Sequence, residues 1–328
     1  MTGLDDYARS MLTRSGTRGL PAHLEAAYGI DVAAISELDL GVFLVERRDG
    51  PDWVARVFPA SRQAGAAAGD AAILDLLAGC EFAAERCATA EPVTMLDGQQ
   101  VLVTGYVEAV PRSRRAERIR SLGGFIRLGS MLSRLYTLPG QDTITRPGGA
   151  WHHLADGAPN AEIAAAAALL AAAQDTVKPG DRAGYASLRA AVDGFDGAGD
   201  LPTALLHPDF VLANAIASPQ GALVMVDWTG AGIGPRLWPL AFLLYTAGMR
   251  DMSRVRSVAG GYTRHLRPEP QELSRLAAVM RVRPSIFEVW RFCTGRKSAA
   301  DAARAVAEIA AHADAIAARA VQEFGEAR

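Results

Sequence analysis

The chain has 328 residues, of which 34 are basic and 36 acidic, and Lys178 and Lys297 are its only lysines. Half the residues are apolar, enough for one large core or two ordinary ones without disulfides, which excludes disorder as the overall description. A formal net charge of −2 and a pI near 6.3 give no global attraction to nucleic acid or to an anionic membrane, so neither is an expected partner. Cys80, Cys87 and Cys293 show no CxxC or Cys/His spacing, so neither a disulfide framework nor a zinc site is indicated and the compartment reads as reducing. Asp5 and Asp6 precede any hydrophobic run, and the most apolar stretches, Ile163 to Ala173 and Leu237 to Met249, fall short of the ~20 residues of a membrane span. A soluble cytoplasmic protein is expected, with its abundance of Ala and Arg over Lys fitting a GC-rich genome.

In chain order, Pro21 to Tyr28 has helical spacing with Gly29 as its C-terminal cap. Strands are expected at Ala34 to Leu38, Val42 to Glu46 and Trp53 to Phe58, the last two joined by the turn residues Asp49, Gly50 and Pro51. Ala66 to Ala78 places Ile73, Leu74 and Leu77 on one helical stripe, and Gln100 to Val107 forms a further strand after the Asp97-Gly98 turn. From about residue 120 the pattern is helical: Ile126 through Leu138, Ala161 to Ala173, Leu240 to Ala247, Pro270 to Met280 and Ala299 to Phe324. One pair of strands interrupts it, Asn214 to Ala217 and Leu223 to Asp227, around a Ser-Pro-Gln-Gly turn. No repeat of fixed period is present.

The most informative segment is His207-Pro-Asp-Phe-Val-Leu-Ala-Asn214, followed by the hairpin that ends in Asp227-Trp228. Because a hairpin returns the chain to where it left, Asn214 and Asp227 are expected side by side, with Asp209 on the preceding loop. Two oxygen donors facing one point suit Mg²⁺, a hard cation that keeps several waters and takes one or two protein ligands plus substrate phosphates. Asp209 is then the base.

These residues resemble the signature of the aminoglycoside phosphotransferase/choline kinase family, distant relatives of protein kinases: His-Gly-Asp, four residues, Asn, then a hydrophobic strand closing in Asp-Trp or Asp-Phe. His207, Asp209, Asn214 and Asp227 match by type and spacing, with Pro208 in place of the usual Gly and Thr229 in place of an acidic residue. WVARVFP resembles the family's third strand, with Arg56 where a basic residue contacts the α/β-phosphates. Gly69 to Ala78 resembles the next helix, with Asp70 where a glutamate pairs with that base. LVTGYVE resembles the linker that reads the adenine edge through Gly105, Tyr106 and Val107. MLSRLYTLP resembles a helix that usually ends in Leu-His, with Tyr136 replacing the His, and residues 261–284 resemble the C-terminal helices. The likeness covers about residues 30–300.

The resemblance implies a two-lobed α+β, protein-kinase-like fold. Residues 1–108 would form a sheet-rich nucleotide-binding lobe and residues 109–328 a mainly helical lobe with the catalytic loop and acceptor site, the nucleotide lying between them. The implied reaction moves the γ-phosphoryl of ATP, or alternatively GTP, to a hydroxyl of a small molecule. Asp209 would act on that hydroxyl, His207 would hold the catalytic loop as a structural histidine, Asn214 and Asp227 would hold Mg²⁺, and Arg56 would neutralise phosphate charge. A glycine-rich phosphate cover is poorly formed, since Glu37 to Gly41 has one Gly. By family prevalence the acceptor is an aminoglycoside or other antibiotic. The alternatives are a choline, homoserine or sugar kinase and a non-catalytic nucleotide-binding protein.

Other signals have plainer readings. Gly230-Ala-Gly-Ile-Gly-Pro235 lacks the third glycine of a dinucleotide-binding turn. Arg112, Arg114, Arg115, Arg118 and Arg120 read as a solvated face after the linker rather than as a site for an anionic substrate, and His152-His153 as surface or as the border of the acceptor pocket. No Walker A, HExxH or GxSxG sequence occurs.

Overall fold

In the computed structural model the described residues are 19–121, 123–148 and 159–326. The acidic start of the chain, His152-His153 and the side chain of Arg112 lie outside them. The chain divides into two compact units, which among the described residues are 19–118 with 215–230, and 119–148, 159–214 and 231–326. The fold is a five-stranded antiparallel sheet in the N-terminal region and a mainly helical C-terminal part, the kinase-like arrangement expected. No helix among the described residues is long and apolar enough to cross a membrane.

The first unit begins with helix α1 (Leu20–Tyr28), which Gly29 ends in the left-handed region at φ 65°, where a glycine carries no Cβ penalty. Strands β1 (Val32–Asp39), β2 (Val42–Arg47) and β3 (Trp53–Val57) follow, then helix α2 (Ala66–Gly79), β4 (Val93–Leu96) and β5 (Gln99–Gly105). The sheet order is β1-β2-β3-β5-β4. Strand alternation sorts its two faces. Trp53, Ala55 and Val57 of β3 join Val101 and Val103 of β5 in a core closed by Leu20 and Leu24 of α1. Phe58 and Leu102 pack on Ala67 and Ala71 of α2 on the other side, and the same alternation places Arg56 on that side.

Hairpin β7 (Ala215–Ala217) and β8 (Leu223–Met225) completes this unit although it lies far along the chain. Its attachment is main-chain: Glu85 N–H donates to Met225 O (3.0 Å), Met225 N–H to Ala83 O (2.9 Å), and Val110 N–H to Ala217 O (3.0 Å).

The second unit holds α4 (Gly124–Leu135), α5 (Pro159–Ala173), α6 (Arg182–Asp193), β6 (Thr203–Leu206), β9 (Gly232–Pro235), α7 (Leu237–Gly248), α8 (Ser253–Tyr262), α9 (Pro270–Met280), α10 (Val282–Cys293) and α11 (Ala299–Glu326). Helix α3 (Arg112–Ser121) leads into it. β6 pairs antiparallel with β9 and delivers the chain directly into His207. The glycines of β9 are packing glycines: a Cβ at Gly232 would meet the carbonyls of Arg146 and Pro147, and Gly148 N–H donates to Ile233 O (2.8 Å).

α4 and α8 cross so closely that a Cβ at Gly129 would strike the Val258 carbonyl and the Tyr262 amide, and one at Gly261 would strike the Ile126 carbonyl. The neighbouring Gly260 has open space around its missing Cβ. Gly261→Ala should therefore cost about 1–3 kcal/mol through overpacking, whereas Gly260→Ala should be neutral or gain roughly 0.5–1 kcal/mol of helix propensity. Thermal melts of the two neighbours check this, and equal effects would refute the close crossing.

Candidate active site

In the first unit the site is organised around a buried ion pair. Arg56, on the α2 side of β3, donates from Nη1 to Glu85 Oε2 (3.0 Å) and Thr104 Oγ1 (3.3 Å), and from Nη2 to Glu85 Oε1 (3.2 Å). Thr104 Oγ1 donates in turn to Glu85 Oε2 (3.0 Å). Glu85 is only 3 % exposed and also accepts from the main chain after the hairpin, from Asp227 N–H at 2.7 Å and Trp228 N–H at 3.3 Å. The Asp227 carboxylate itself is 51 % exposed, with Oδ1 3.8 Å from Arg56 Nε. That Nε is buried and makes no hydrogen bond. Burial pulls the Arg56 pKa down, but Glu85 and Asp227 outweigh it and leave the guanidinium above its ordinary value.

Asp70 occupies the expected place on α2 but does not meet Arg56. It is fully buried and takes Nη2 of Arg62 at 2.5 Å, while its Oδ1 accepts the Gly230 N–H at 3.0 Å. The partner of Arg56 is Glu85, in the segment after α2, and this corrects the expected pairing. The physical reason is reach: the shorter aspartate is satisfied by Arg62, which stacks on Phe58 with its guanidinium carbon 3.9 Å from the ring centroid. A carboxylate with no exposure cannot touch a nucleotide, so Asp70 shapes the site by fixing the segment that carries Asp227.

Of the three linker residues, two spend their N–H groups inside the protein: Gly105 on Arg86 O (2.9 Å) and Tyr106 on Asp52 O (2.9 Å). Among the described residues no hydrogen-bond partner is found for Val107 N–H. At the β1–β2 turn, Gly41 has φ 70°, and its carbonyl accepts Val57 N–H at 2.8 Å. A Cβ there would meet Val57 O at 2.8 Å, so the single glycine makes a tight turn.

In the second unit His207 is fully buried and its Nδ1 accepts the Asp209 N–H at 3.0 Å. Asn214 Nδ2 donates to Asp209 O (2.9 Å) and Oδ2 (3.0 Å), which orients the carboxylate. Asp209 is 38 % exposed, and behind it stands a residue the sequence reading did not single out. Arg283, buried near the start of α10, has Nη2 3.4 Å from Asp209 Oδ1 and donates from Nη1 to the Pro208 carbonyl. Its guanidinium lies over Phe242 and Phe287, 4.7 and 5.9 Å from the ring centroids. The one sequence signal for it was an arginine on an otherwise apolar helical stripe, Val282, Ile286 and Val289.

Each unit presents an oxygen donor of the hard type that Mg²⁺ takes. Asn214 commits its amide nitrogen to Asp209 and keeps its oxygen, and Asp227 offers a half-exposed carboxylate. Among the described residues no group of three or more His, Cys, Asp or Glu is placed to hold a metal ion.

The sequence family described as "Phosphotransferase enzyme family" matches residues 33–279. No curated protein sequence matches the chain significantly. Among solved structures, the choline kinase LicA from Streptococcus pneumoniae superposes with a TM-score of 0.61 at 14 % identity, covering 90 % of this chain and 98 % of that one. A spectinomycin phosphotransferase in complex with ADP and its antibiotic gives 0.59 at 12 % identity, covering 91 % and 98 %. An amicoumacin kinase bound to AMP-PNP and Ca²⁺ gives 0.62 at 13 % identity, covering 92 % and 93 %.

The buried pair sets a clear expectation for substitutions. Glu85→Ala leaves Arg56 charged and unpaired in the interior and should lower stability by about 3–5 kcal/mol, more than Glu85→Gln, which keeps an acceptor for the Asp227 and Trp228 amides. Urea unfolding measures both. A loss below ~1 kcal/mol for Glu85→Ala, the level of a surface pair, would show that the pair is not buried as described.

Proposed function

The chain belongs to the phosphotransferase enzyme family, and from that premise we propose that it transfers the γ-phosphoryl of ATP to a hydroxyl of a small molecule. The observation that carries this reading is the pair of half-exposed carboxylates, Asp209 and Asp227, each backed by a buried arginine and each on a different structural support. Asp209, held by Asn214 Nδ2 and by the His207–main-chain bond, accepts a hydrogen bond from the acceptor hydroxyl and takes its proton as the oxygen attacks phosphorus. The bond from the γ-phosphorus to the β,γ-bridging oxygen breaks, and ADP leaves. Asn214 Oδ1 and the Asp227 carboxylate are the groups that would hold a divalent cation, and such an ion would supply positive charge against the phosphates. Arg56 would supply positive charge from within the protein, without touching the nucleotide, and Val107 N–H would read the base. Phosphoryl transfer asks for positioning and charge more than covalent work, which suits a site made of oriented carboxylates.

The acceptor classes consistent with the family are antibiotics of the aminoglycoside type and small metabolites of the choline, homoserine or sugar type. ADP release should be measured with Mg-ATP across a panel of both. Asp209→Asn should lower acceptor-stimulated turnover by roughly 10²–10⁴-fold, the scale of a lost general base. Acceptor-dependent ADP release that survives Asp209→Asn unchanged would overturn the reading. Asp227→Ala should abolish Mg²⁺-dependent nucleotide binding, and retained binding in a titration calorimeter would remove Asp227 from the cation site.

A further inference from the structure

Arg283 has no part in the residue pattern that identifies the family site, yet it touches Asp209. The guanidinium is buried, so it does not reach out to a substrate; it acts through the groups it holds. Nη1 fixes the Pro208 carbonyl and Nη2 lies 3.4 Å from Asp209 Oδ1, while Asn214 holds Oδ2 at 3.0 Å. Both oxygens of Asp209 are thereby oriented from behind by the protein.

Three further observations concern charge. The Asp209 carboxylate is already partnered by a cation of the protein. The half-buried rings of Phe242 and Phe287, aromatic faces of the kind that receive a quaternary or primary ammonium, are already engaged by the same guanidinium. The next carboxylate along α10, Glu288, is spent on Lys297 Nζ (2.6 Å) and on Arg291. Asp209, the rings of Phe242 and Phe287, and Glu288 are thus each engaged by a cation of the protein.

We propose that Arg283 is a positioning residue for Asp209 and that it selects an acceptor with no positive charge beside the reactive hydroxyl, a neutral polyol or a hydroxy acid rather than an amine. This rests on Asp209 being the group that receives the acceptor hydroxyl. A cationic acceptor placed against Asp209 would compete with Arg283 for the same carboxylate, and like charges facing each other are the usual means by which a site rejects a ligand.

The test is kcat/KM for acceptors matched in shape and differing in charge: glucose against glucosamine, glycerate against ethanolamine and choline, inositol against a 2-deoxystreptamine aminoglycoside. The uncharged or acidic member should be preferred by on the order of tenfold or more. Arg283→Met should collapse that ratio towards one and lower kcat for every acceptor, and Arg283→Lys should restore the ratio in part. Preference for the amines, or a ratio unmoved by Arg283→Met, overturns the proposal while leaving phosphoryl transfer intact. Asp209-independent turnover with every acceptor overturns the reading beneath it. Contact between the two residues is checked without any acceptor: Asp209→Asn should lower the melting temperature in the wild-type background and not in the Arg283→Met background. Equal shifts in both backgrounds would show that the pair does not interact.

Discussion

The first unit depends on the charge of one buried carboxylate. Glu85 accepts from both terminal nitrogens of Arg56, from Thr104 and from two consecutive main-chain amides. An isolated ionised group in an apolar interior is costly, and here the cost is offset only because each of its oxygens is fully engaged. The same interaction decides where Asp227 goes. Its residue sits in the left-handed region at φ 69°, uncommon for a side chain larger than glycine, and its amide is tied down by Glu85 at 2.7 Å. Trp228, the next residue, is buried edge-to-face against Phe82, so the clasp is covered by apolar surface on which water cannot compete. Asp70 and Arg62 repeat the device at Gly230. The segment after the hairpin is therefore fixed at two points by buried carboxylates, each neutralised by its own arginine.

Arginine rather than lysine on β3 follows from this arrangement. A guanidinium offers a planar fork that meets both oxygens of Glu85, remains charged at any accessible pH, and still has a third nitrogen, Nε, on the edge facing Asp227. An ammonium is a point charge and could not span Glu85, Thr104 and Asp227 in fixed directions. The lysine-poor composition is thereby accommodated without loss of the positive charge that the strand has to present.

What could be read from the sequence was what is local. His207, Asp209 and Asn214 fall within one short loop, and the hairpin to Asp227 is announced by its turn residues, so type and spacing were enough. β3 and β5 show alternation, and Gly29 shows its cap. The partner of Arg56 was not legible because it lies 29 residues away, outside any periodic element, and its other contacts are 142 and 143 residues distant. Asp70 looked equivalent because helical register was visible and side-chain reach was not. β4 went unseen because it is four residues long and carries an exposed Met95. Helices α6, α8 and α10 were missed because their apolar stripes are short and set among charged residues, with Arg283 buried beside the stripe of α10. That placement was itself information: an arginine beside an apolar stripe either lies on the surface or is held by something, and here the something is Asp209.

The two reactive carboxylates differ in what stands behind them. The arginine beside Asp227 has Glu85 as a second counter-charge, so neutralising Asp227 would leave Arg56 paired. Among the described residues the arginine beside Asp209 has no second carboxylate; its other contacts are a carbonyl and two aromatic faces. Neutralising Asp209 would leave a buried guanidinium compensated by dipoles and π-faces alone. Asp209 therefore serves the fold as well as the reaction proposed for it, and its orientation is maintained by the same attraction that keeps Arg283 buried. Asp209 is thus held by its own charge, whereas the support of Asp227 is independent of its charge.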